Sequence, residues 1–247
     1  MKDNQTLYRY EFKYLINEKV SEQIKENVIK FMNVDEFARK MNSNSYFVSS
    51  IYFEDDFNTN FTEKIDGNKI RKKFRIRNYS KDLNNDPIFL EVKGRNLDRT
   101  FKKRTKIDYE DIITINNRKN INSLLKKYPN NDIINQFIFE LYKKNLKPKI
   151  IVDYSRTPFA NSQGLYFRLT FDKKISCAKI NNNFLDNTVY NQHVLCKAGF
   201  TILEVKFDRN IPLWFHRIIQ TFELNRVSIS KFVVGMCYLK LGTETSD

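Results

Sequence analysis

The chain has 247 residues, with 43 Lys and Arg against 29 Asp and Glu, and the formal charge of +14 makes nucleic acid, acidic lipid, nucleotide or polyphosphate the partner classes to weigh. A hydrophobic content of 41%, including 21 Phe and 13 Tyr, excludes a disordered basic tail and suits one packed domain over residues 1–247. Three widely separated cysteines without C-x-x-C spacing argue against a disulfide framework or zinc finger, so Cys177, Cys196 and Cys237 read as small buried hydrophobes.

Residues 7 to 16 read as a first strand with Arg9, Glu11 and Lys13 on one face. Asn17 then caps a helix from about 18 to 31, in which Val20, Ile24, Val28 and Phe31 recur at helical spacing. Phe47 to Phe53 predicts a second strand, followed by a short helix from Thr59 to Ile65 that ends at Gly67. Lys73–Tyr79 and Ile88–Lys93 flank Asn84-Asn85-Asp86-Pro87, which is the chemistry of a hairpin turn. Thr100–Tyr109 supplies the next strand, and helical spacing returns between Ile121 and Leu146, closed by Pro148. Ile150–Tyr154, Tyr166–Asp172 and Ile202–Asp208 predict further strands. Pro212 opens a helix in which Trp214, Ile218 and Phe222 stack.

Lys73-Phe74-Arg75-Ile76-Arg77, Leu90-Glu91-Val92-Lys93, Phe167-Arg168-Leu169-Thr170-Phe171-Asp172 and Leu203-Glu204-Val205-Lys206 each send their charges to one sheet face and their apolar residues to the other. The apolar face is too rich for a sheet with a dispensable exterior. A closed antiparallel barrel in an α+β fold resolves this, with charges inside and helices packed on the outside. Strand parity then places Lys13, Arg75, Arg77, Lys93, Lys102, Arg104, Arg168 and Lys206 in the lumen, with Arg156 and Lys231 near strand ends. The carboxylates that share this face are Glu11, Glu91, Asp172 and Glu204. Burying cations in excess is costly unless water, metal or a polyanion fills the space.

The chemistry narrows by elimination. The six glycines, at 67, 94, 164, 199, 235 and 242, cannot build a G-x-G-x-x-G turn or a Walker loop, so phosphate must be gripped by side chains. His193 and His216 stand too far apart in sequence to suggest a metal site or a triad, and read as structural or surface residues. A divalent metal would fall to the carboxylates, Glu204 first, while each could instead pair with a tunnel cation, a role that suits Glu91 beside Lys93 as well as metal binding does.

Several stretches in a fixed order carry a resemblance. They are Tyr10-Glu11-Phe12-Lys13-Tyr14, Ser50-Ile51-Tyr52-Phe53-Glu54-Asp55 with Lys64 and Gly67, Lys73 to Arg77, Phe89 to Lys93, Lys102-Lys103-Arg104, Asp153-Tyr154-Ser155-Arg156, Leu203 to Lys206, and Ser230-Lys231-Phe232. Together they resemble the VTC domain, a family of the triphosphate tunnel metalloenzymes and CYTH-like proteins. The resemblance implies a closed tunnel barrel and synthesis of polyphosphate from ATP, with Mn or Mg held by Glu204; strand parity adds Glu11 and Glu91 as the further candidate metal ligands. It also implies that Lys13, Arg75, Arg77, Lys93, Arg168 and Lys206 act on the transferring phosphate, and that Lys102, Arg104, Arg156 and Lys231 bind phosphate. ATP and polyphosphate are then the expected partners, without nucleic acid and without a membrane span, and the expected location is the cytoplasm. Against the E-x-E-x-K signature of the wider superfamily, Arg9 occupies the first acidic position. That departure weakens the case for a hydrolase that uses both glutamates; triphosphate hydrolysis in the same tunnel and non-enzymatic binding of polyphosphate or nucleic acid are the competing readings.

Overall fold

A computed structural model describes residues 9–41, 43–80, 87–161, 164, 166–180 and 194–242. Ten strands and eight helices alternate along these residues. The strands are β1 (Tyr10–Asn17), β2 (Asn33–Val34), β3 (Tyr46–Glu54), β4 (Ile70–Asn78), β5 (Ile88–Asn96), β6 (Arg99–Ile107), β7 (Lys147–Ala160), β8 (Phe167–Lys179), β9 (Val194–Leu195) and β10 (Phe200–Phe207). The helices are α1 (Glu18–Val28), α2 (Glu36–Arg39), α3 (Thr59–Ile65), α4 (Tyr109–Asn117), α5 (Ser123–Lys127), α6 (Asp132–Lys143), α7 (Leu213–Thr221) and α8 (Lys231–Tyr238).

All pairings are antiparallel, and the eight main strands lie in the order β1-β10-β8-β7-β3-β4-β5-β6, with β2 added to β7 and β9 to β8. The expected closed barrel is corrected here: the hydrogen-bond ladder does not run all the way round. Its two end strands, β1 and β6, meet at one bridge, where Arg9 N donates to Thr100 O at 3.1 Å and Thr100 N to Arg9 O at 2.9 Å. Beyond that bridge the edge of β1 is covered by residues 226–230, with Val227 N donating to Lys13 O at 2.8 Å. Lys93 on β5 also reaches across the seam to Glu11 on β1 at 3.0 Å. Side chains, rather than a continuous ladder, span the remaining gap.

The alternation read from the sequence is what the register enforces, because residues directly opposite one another share a face. Glu11 faces Lys206, Lys13 faces Glu204, Arg75 faces Glu91, Lys73 faces Lys93 and Arg156 faces Asp172. The other face is apolar and splits into two outer layers. Phe53, Phe74, Ile76, Leu90, Val92 and Ile107 pack under α4, α5 and α6, whose Ile112, Leu124, Ile134 and Phe137 complete the cluster. Phe167, Leu169, Phe171, Leu203, Val205 and Phe207 pack under α1 and α7 through Ile24, Val28, Phe215 and Ile218.

Local signals account for most boundaries. Asn17 caps α1 by accepting from Val20 N at 2.8 Å, and Gly67 takes the left-handed φ of +75° just past α3. Five elements escaped the sequence reading, β2, α2, α4, β9 and α8, and two of them have a clear local cause. The first, α4, starts at a capping box in which Asp108 and Asp111 satisfy each other's backbone amides, a signal hidden inside what read as the end of a strand. The second, α8, is apolar nearly all round and shows no amphipathic period. It does not lie outside: Phe232, Gly235 and Met236 pack on the charge-bearing face against Tyr52, Ile150 and Val152, so one helix plugs the concave side. Pro148 does not close the preceding helix either. It lies in β7 opposite Phe53, next to a register shift that tolerates its missing N–H. Of the cysteines, Cys177 and Cys196 are buried and Cys237 is exposed. No helix among the described residues is long and apolar enough to cross a membrane.

Phe137 ties the outer layer to the sheet, fully buried with its ring 5.2 Å from Phe53 and 5.4 Å from Phe74. Phe137→Ala is expected to lower unfolding free energy by about 3–5 kcal/mol, read from urea denaturation followed by circular dichroism. A loss below about 1 kcal/mol would mean that α6 does not anchor the sheet.

Candidate functional site

The concave face encloses a cavity of about 320 Å³ whose lining holds thirteen Lys and Arg but three Glu. Its inner wall draws on five strands and one helix: Lys13 from β1, Lys73, Arg75 and Arg77 from β4, Lys93 from β5, Arg156 from β7, Lys206 from β10 and Lys231 from the start of α8.

Four carboxylates hold this cluster together in two different ways. Glu91 and Asp172 are fully buried behind the wall. Glu91 Oε2 accepts from Arg75 Nε at 2.8 Å and Nη2 at 2.6 Å, and its Oε1 lies 3.3 Å from Lys102 Nζ. Asp172 takes Arg156 through two bonds of 2.6 and 2.7 Å and Lys231 Nζ at 2.5 Å. The Arg156–Asp172 pair is bidentate, whereas Arg75 turns two nitrogens on one oxygen of Glu91; either way two bonds fix the planar guanidinium as well as neutralising it. Further acceptors lock the arginines: Arg75 donates to Tyr52 Oη at 3.1 Å, and Arg77 to Tyr154 Oη at 3.1 Å and to Ser50 Oγ at 3.0 Å.

Glu11 and Glu204 instead line the cavity among three lysines. Glu11 lies 3.1 Å from Lys13 and 3.0 Å from Lys93, and Glu204 lies 2.5 Å from Lys206. Burial and the neighbouring Glu204 push the Glu11 carboxyl upward, but Lys93, Lys13 and Lys206 outweigh both and hold it well below the usual range. Glu204 behaves alike: burial opposes its charge, and Lys206, Lys93 and Lys13 hold it well below the usual range. Both are therefore ionised hard-oxygen donors.

Eight inner cations against these four carboxylates leave an excess of positive charge, and it surfaces in the titration of the least supported groups. Burial lowers Lys73 most, Tyr52 opposes it, and Lys93, Arg75 and Lys13 reinforce it, which brings the ammonium down to about 7. Its polar neighbour is Ser230 Oγ at 3.3 Å, and its ammonium lies 4.7 Å over the Phe232 ring. Burial also lowers Lys93, to about 8 despite the pull of Glu11 and Glu204. For Tyr52 burial acts upward, yet Arg75, Lys73 and Arg77 bring the phenol to about 7.

Among the residues expected from sequence, Lys13, Arg75, Arg77, Lys93, Arg156, Lys206, Lys231, Glu11 and Glu204 come together around this cavity. Three of the expected cations do not line it. Arg168 shares the face of Lys206 but pairs with Asp35 at 3.3 Å, Lys102 leans on Glu91, and Arg104 is exposed on the end strand β6 with its guanidinium 4.4 Å over Phe89. Parity gives the correct face for each but not the distance along the strand. Glu91, expected with the metal ligands, is occupied by Arg75 and Lys102. Among the described residues no cluster of three or more His, Cys, Asp or Glu suits a metal ion. Lys73, Tyr52 and Tyr154 were missed as lining residues, although Lys73 shares the two-residue period of Arg75 and Arg77. His216 is exposed on α7, and His193 lies outside the described residues.

Glu11 and Glu204 fit a divalent cation of the Mg or Mn kind, which takes one or two carboxylates and completes its shell with water and phosphate oxygens. They do not form an all-protein cage.

An antiparallel sheet curled around a cation-lined cavity, with a pair of ionised glutamates facing inward, defines a tunnel-type anion-handling protein. A family model described as the VTC domain matches residues 8–240, and the chain belongs to that family. None of the curated proteins compared with the chain matches it. Solved structures similar to it include a candidate adenylate cyclase from Bacillus halodurans, 12% identical over 90% of this chain and 93% of that one, with a TM-score of 0.51. A candidate adenylyl cyclase from Hippeastrum, described as having a dominant triphosphatase activity, is 13% identical over 94% of this chain and 96% of that one, also with a TM-score of 0.51. At these identities the likeness is one of fold.

Because Lys73, Lys93 and Tyr52 are partly deprotonated near pH 8, a bound polyanion will raise all three and draw protons in. Long-chain polyphosphate, whose interior phosphates have no titrating proton in this range, is the suitable probe. Calorimetry in buffers of different ionisation enthalpy should register net proton uptake at about pH 8 that vanishes at about pH 6. Proton release at the higher pH would contradict the charge balance of the cavity.

Proposed function

We propose that the protein is a metal-dependent polyphosphate polymerase, transferring the γ-phosphate of ATP to the end of a growing polyphosphate chain inside this cavity. The observation that carries the reading is the excess of inner cations over carboxylates, with two carboxylates left facing the cavity, in a chain of the VTC family. Phosphoryl transfer needs positioned reactants and stabilised charge rather than a protein nucleophile, so the absence of a catalytic triad is no obstacle.

In this reading Arg75, Arg77 and Arg156 grip phosphate oxygens through guanidinium edges already fixed by Glu91, Asp172, Tyr52, Tyr154 and Ser50. Lys13, Lys93, Lys206 and Lys231 supply mobile point charges around them. Glu204 and Glu11 would hold the divalent ion, and Lys13, Lys93 and Lys206 beside them would be free to contact phosphate. That ion, when bound, neutralises charge on the transferring phosphoryl group. A terminal phosphate oxygen of the chain attacks the γ-phosphorus. The bond from that phosphorus to the β,γ-bridging oxygen breaks, and ADP leaves with the electron pair.

Arg9 favours this reading over hydrolysis by a carboxylate-rich site. It stands where the wider signature has its first acid, lies 3.3 Å from Asp208 and 3.5 Å over the Tyr166 ring, and does not line the cavity. The strand β1 therefore contributes one inward carboxylate, Glu11. Lys102, Arg104 and Arg168 are assigned to guiding the anion toward the cavity rather than to gripping it.

Purified protein incubated with ATP and Mn should yield long chains on gels and interior-phosphate signals by phosphorus NMR. Free phosphate with no chain would replace the polymerase by a hydrolase. Glu204→Gln should lower turnover about 10²-fold or more while polyphosphate binding persists or tightens. Tight binding without turnover in the unaltered protein, under any divalent metal, would leave a polyanion binder.

A further inference from the structure

The inner cavity opens past Lys73 toward a rim where α3, the Ile70 end of β4, the Asn96 end of β5 and residues 226–230 meet. Lys64, Arg71 and Arg95 stand at this rim with Ser228, and the same four residues line an adjoining cavity of about 530 Å³ on the outer side. The two spaces thus share one ring of cations.

This ring has weaker carboxylate support than the inner wall: Glu63 lines the same space and acts on Arg71 without forming an ion pair with it. Among the described residues neither Lys64 nor Arg71 has an ion-pair partner. Lys64 Nζ donates to Ser228 Oγ at 2.7 Å, and Arg71 donates to the carbonyl of Asn68. Arg95 lies 3.5 Å from Asp98, whose side chain is 86% exposed, so that pair is weak. The three cations feel one another: burial and then Arg71, Lys13 and Arg95 lower the Lys64 ammonium, and burial and Arg95 lower Arg71 against the opposing pull of Glu63. Their exposure is also greater than that of the inner set, at 32% for the Arg95 side chain against 7% for Arg75. Mutually repelling cations held around an open space are stabilised by an anion that bridges them.

We propose that Lys64, Arg71 and Arg95 form a second anion subsite, which takes the phosphates of a linear polyphosphate that extend beyond a triphosphate held by the inner cavity. It rests on the inner cavity taking phosphates, as argued above, and it assigns the chain a direction: the extended end leaves between α3 and residues 226–230. A product gripped here stays bound between successive transfers, whereas a free triphosphate ends short of the rim. Chain length then sets affinity.

The test compares tripolyphosphate, ATP and long-chain polyphosphate by calorimetry on the full chain and on two variants, Arg71→Ala/Arg95→Ala and Lys64→Ala. Each lost charge-assisted contact costs about a factor of ten in affinity, so long-chain binding should weaken about tenfold or more while tripolyphosphate and ATP stay within about twofold. Unchanged tripolyphosphate affinity also certifies that the variants fold. Equal weakening of all three ligands, selective weakening of ATP, or no change with any ligand would overturn the subsite while the inner cavity stands. Failure of the unaltered protein to bind any of the three would overturn the inner cavity, and the subsite with it.

Discussion

One constraint governs the molecule: a sheet that concentrates cations on its concave face must hold them there against their own repulsion. Glu91 and Asp172 meet that constraint from behind the wall. Each is fully buried, each takes an arginine through two short bonds, and each adds a lysine on its remaining lone pairs. A buried pair of this kind adds little net stability, because desolvation offsets most of the attraction. Its value lies in direction. The guanidinium edges not used by Glu91 or Asp172 stay oriented toward the cavity, ready for an anion, and little reorganisation remains when one arrives.

The outer layers serve the same constraint from the other side. A curled sheet with polar groups inside can exist only if its convex face is sealed, and the two apolar clusters under α4–α6 and under α1 and α7 do this independently. The ladder itself need not close. At the seam between β1 and β6, one backbone bridge, residues 226–230 and the Lys93–Glu11 pair take the place of further strand pairing. The seam therefore carries the cavity's own lining residues, and an ordinary closed ladder would leave less room for them.

The sequence made the sheet and its charged face legible because strand parity is a local property. Arg75, Arg77, Lys93, Glu204 and Lys206 follow from alternation alone. How far along the strand a residue sits is not local: Arg104 and Arg168 have the right parity, yet one lies on an end strand over Phe89 and the other is drawn to Asp35 by the cap of α2. Nor does parity say which carboxylates are committed. Glu91 and Glu204 have identical sequence surroundings, Leu-Glu-Val-Lys, and only the partner strand separates them: Glu91 faces Arg104 and lies beside Arg75, while Glu204 faces Lys13 and Thr170. The helix α8 was invisible for a different reason, since an element that plugs a concave face is apolar on all sides and has no period to read.

That plug gives the cavity its asymmetry. Through Phe232, Gly235 and Met236 it fills the concave side next to Ile150 and Val152, and at its first residue it presents Lys231 to Asp172. Gly235 is required for this approach, because a Cβ there would stand 2.9 Å from Ile150 and 3.3 Å from Cys177. With that side filled, the remaining way out at this end runs beside the plug, between α3 and residues 226–230. The same backbone that covers the edge of β1 thus shapes the opening, so seam, plug and rim form one device rather than three. In the proposed reading an anion inside would meet arginines fixed on the β4 and β7 walls by Glu91 and Asp172, and opposite them the lysines of β1, β5 and β10 that pair with Glu11 and Glu204.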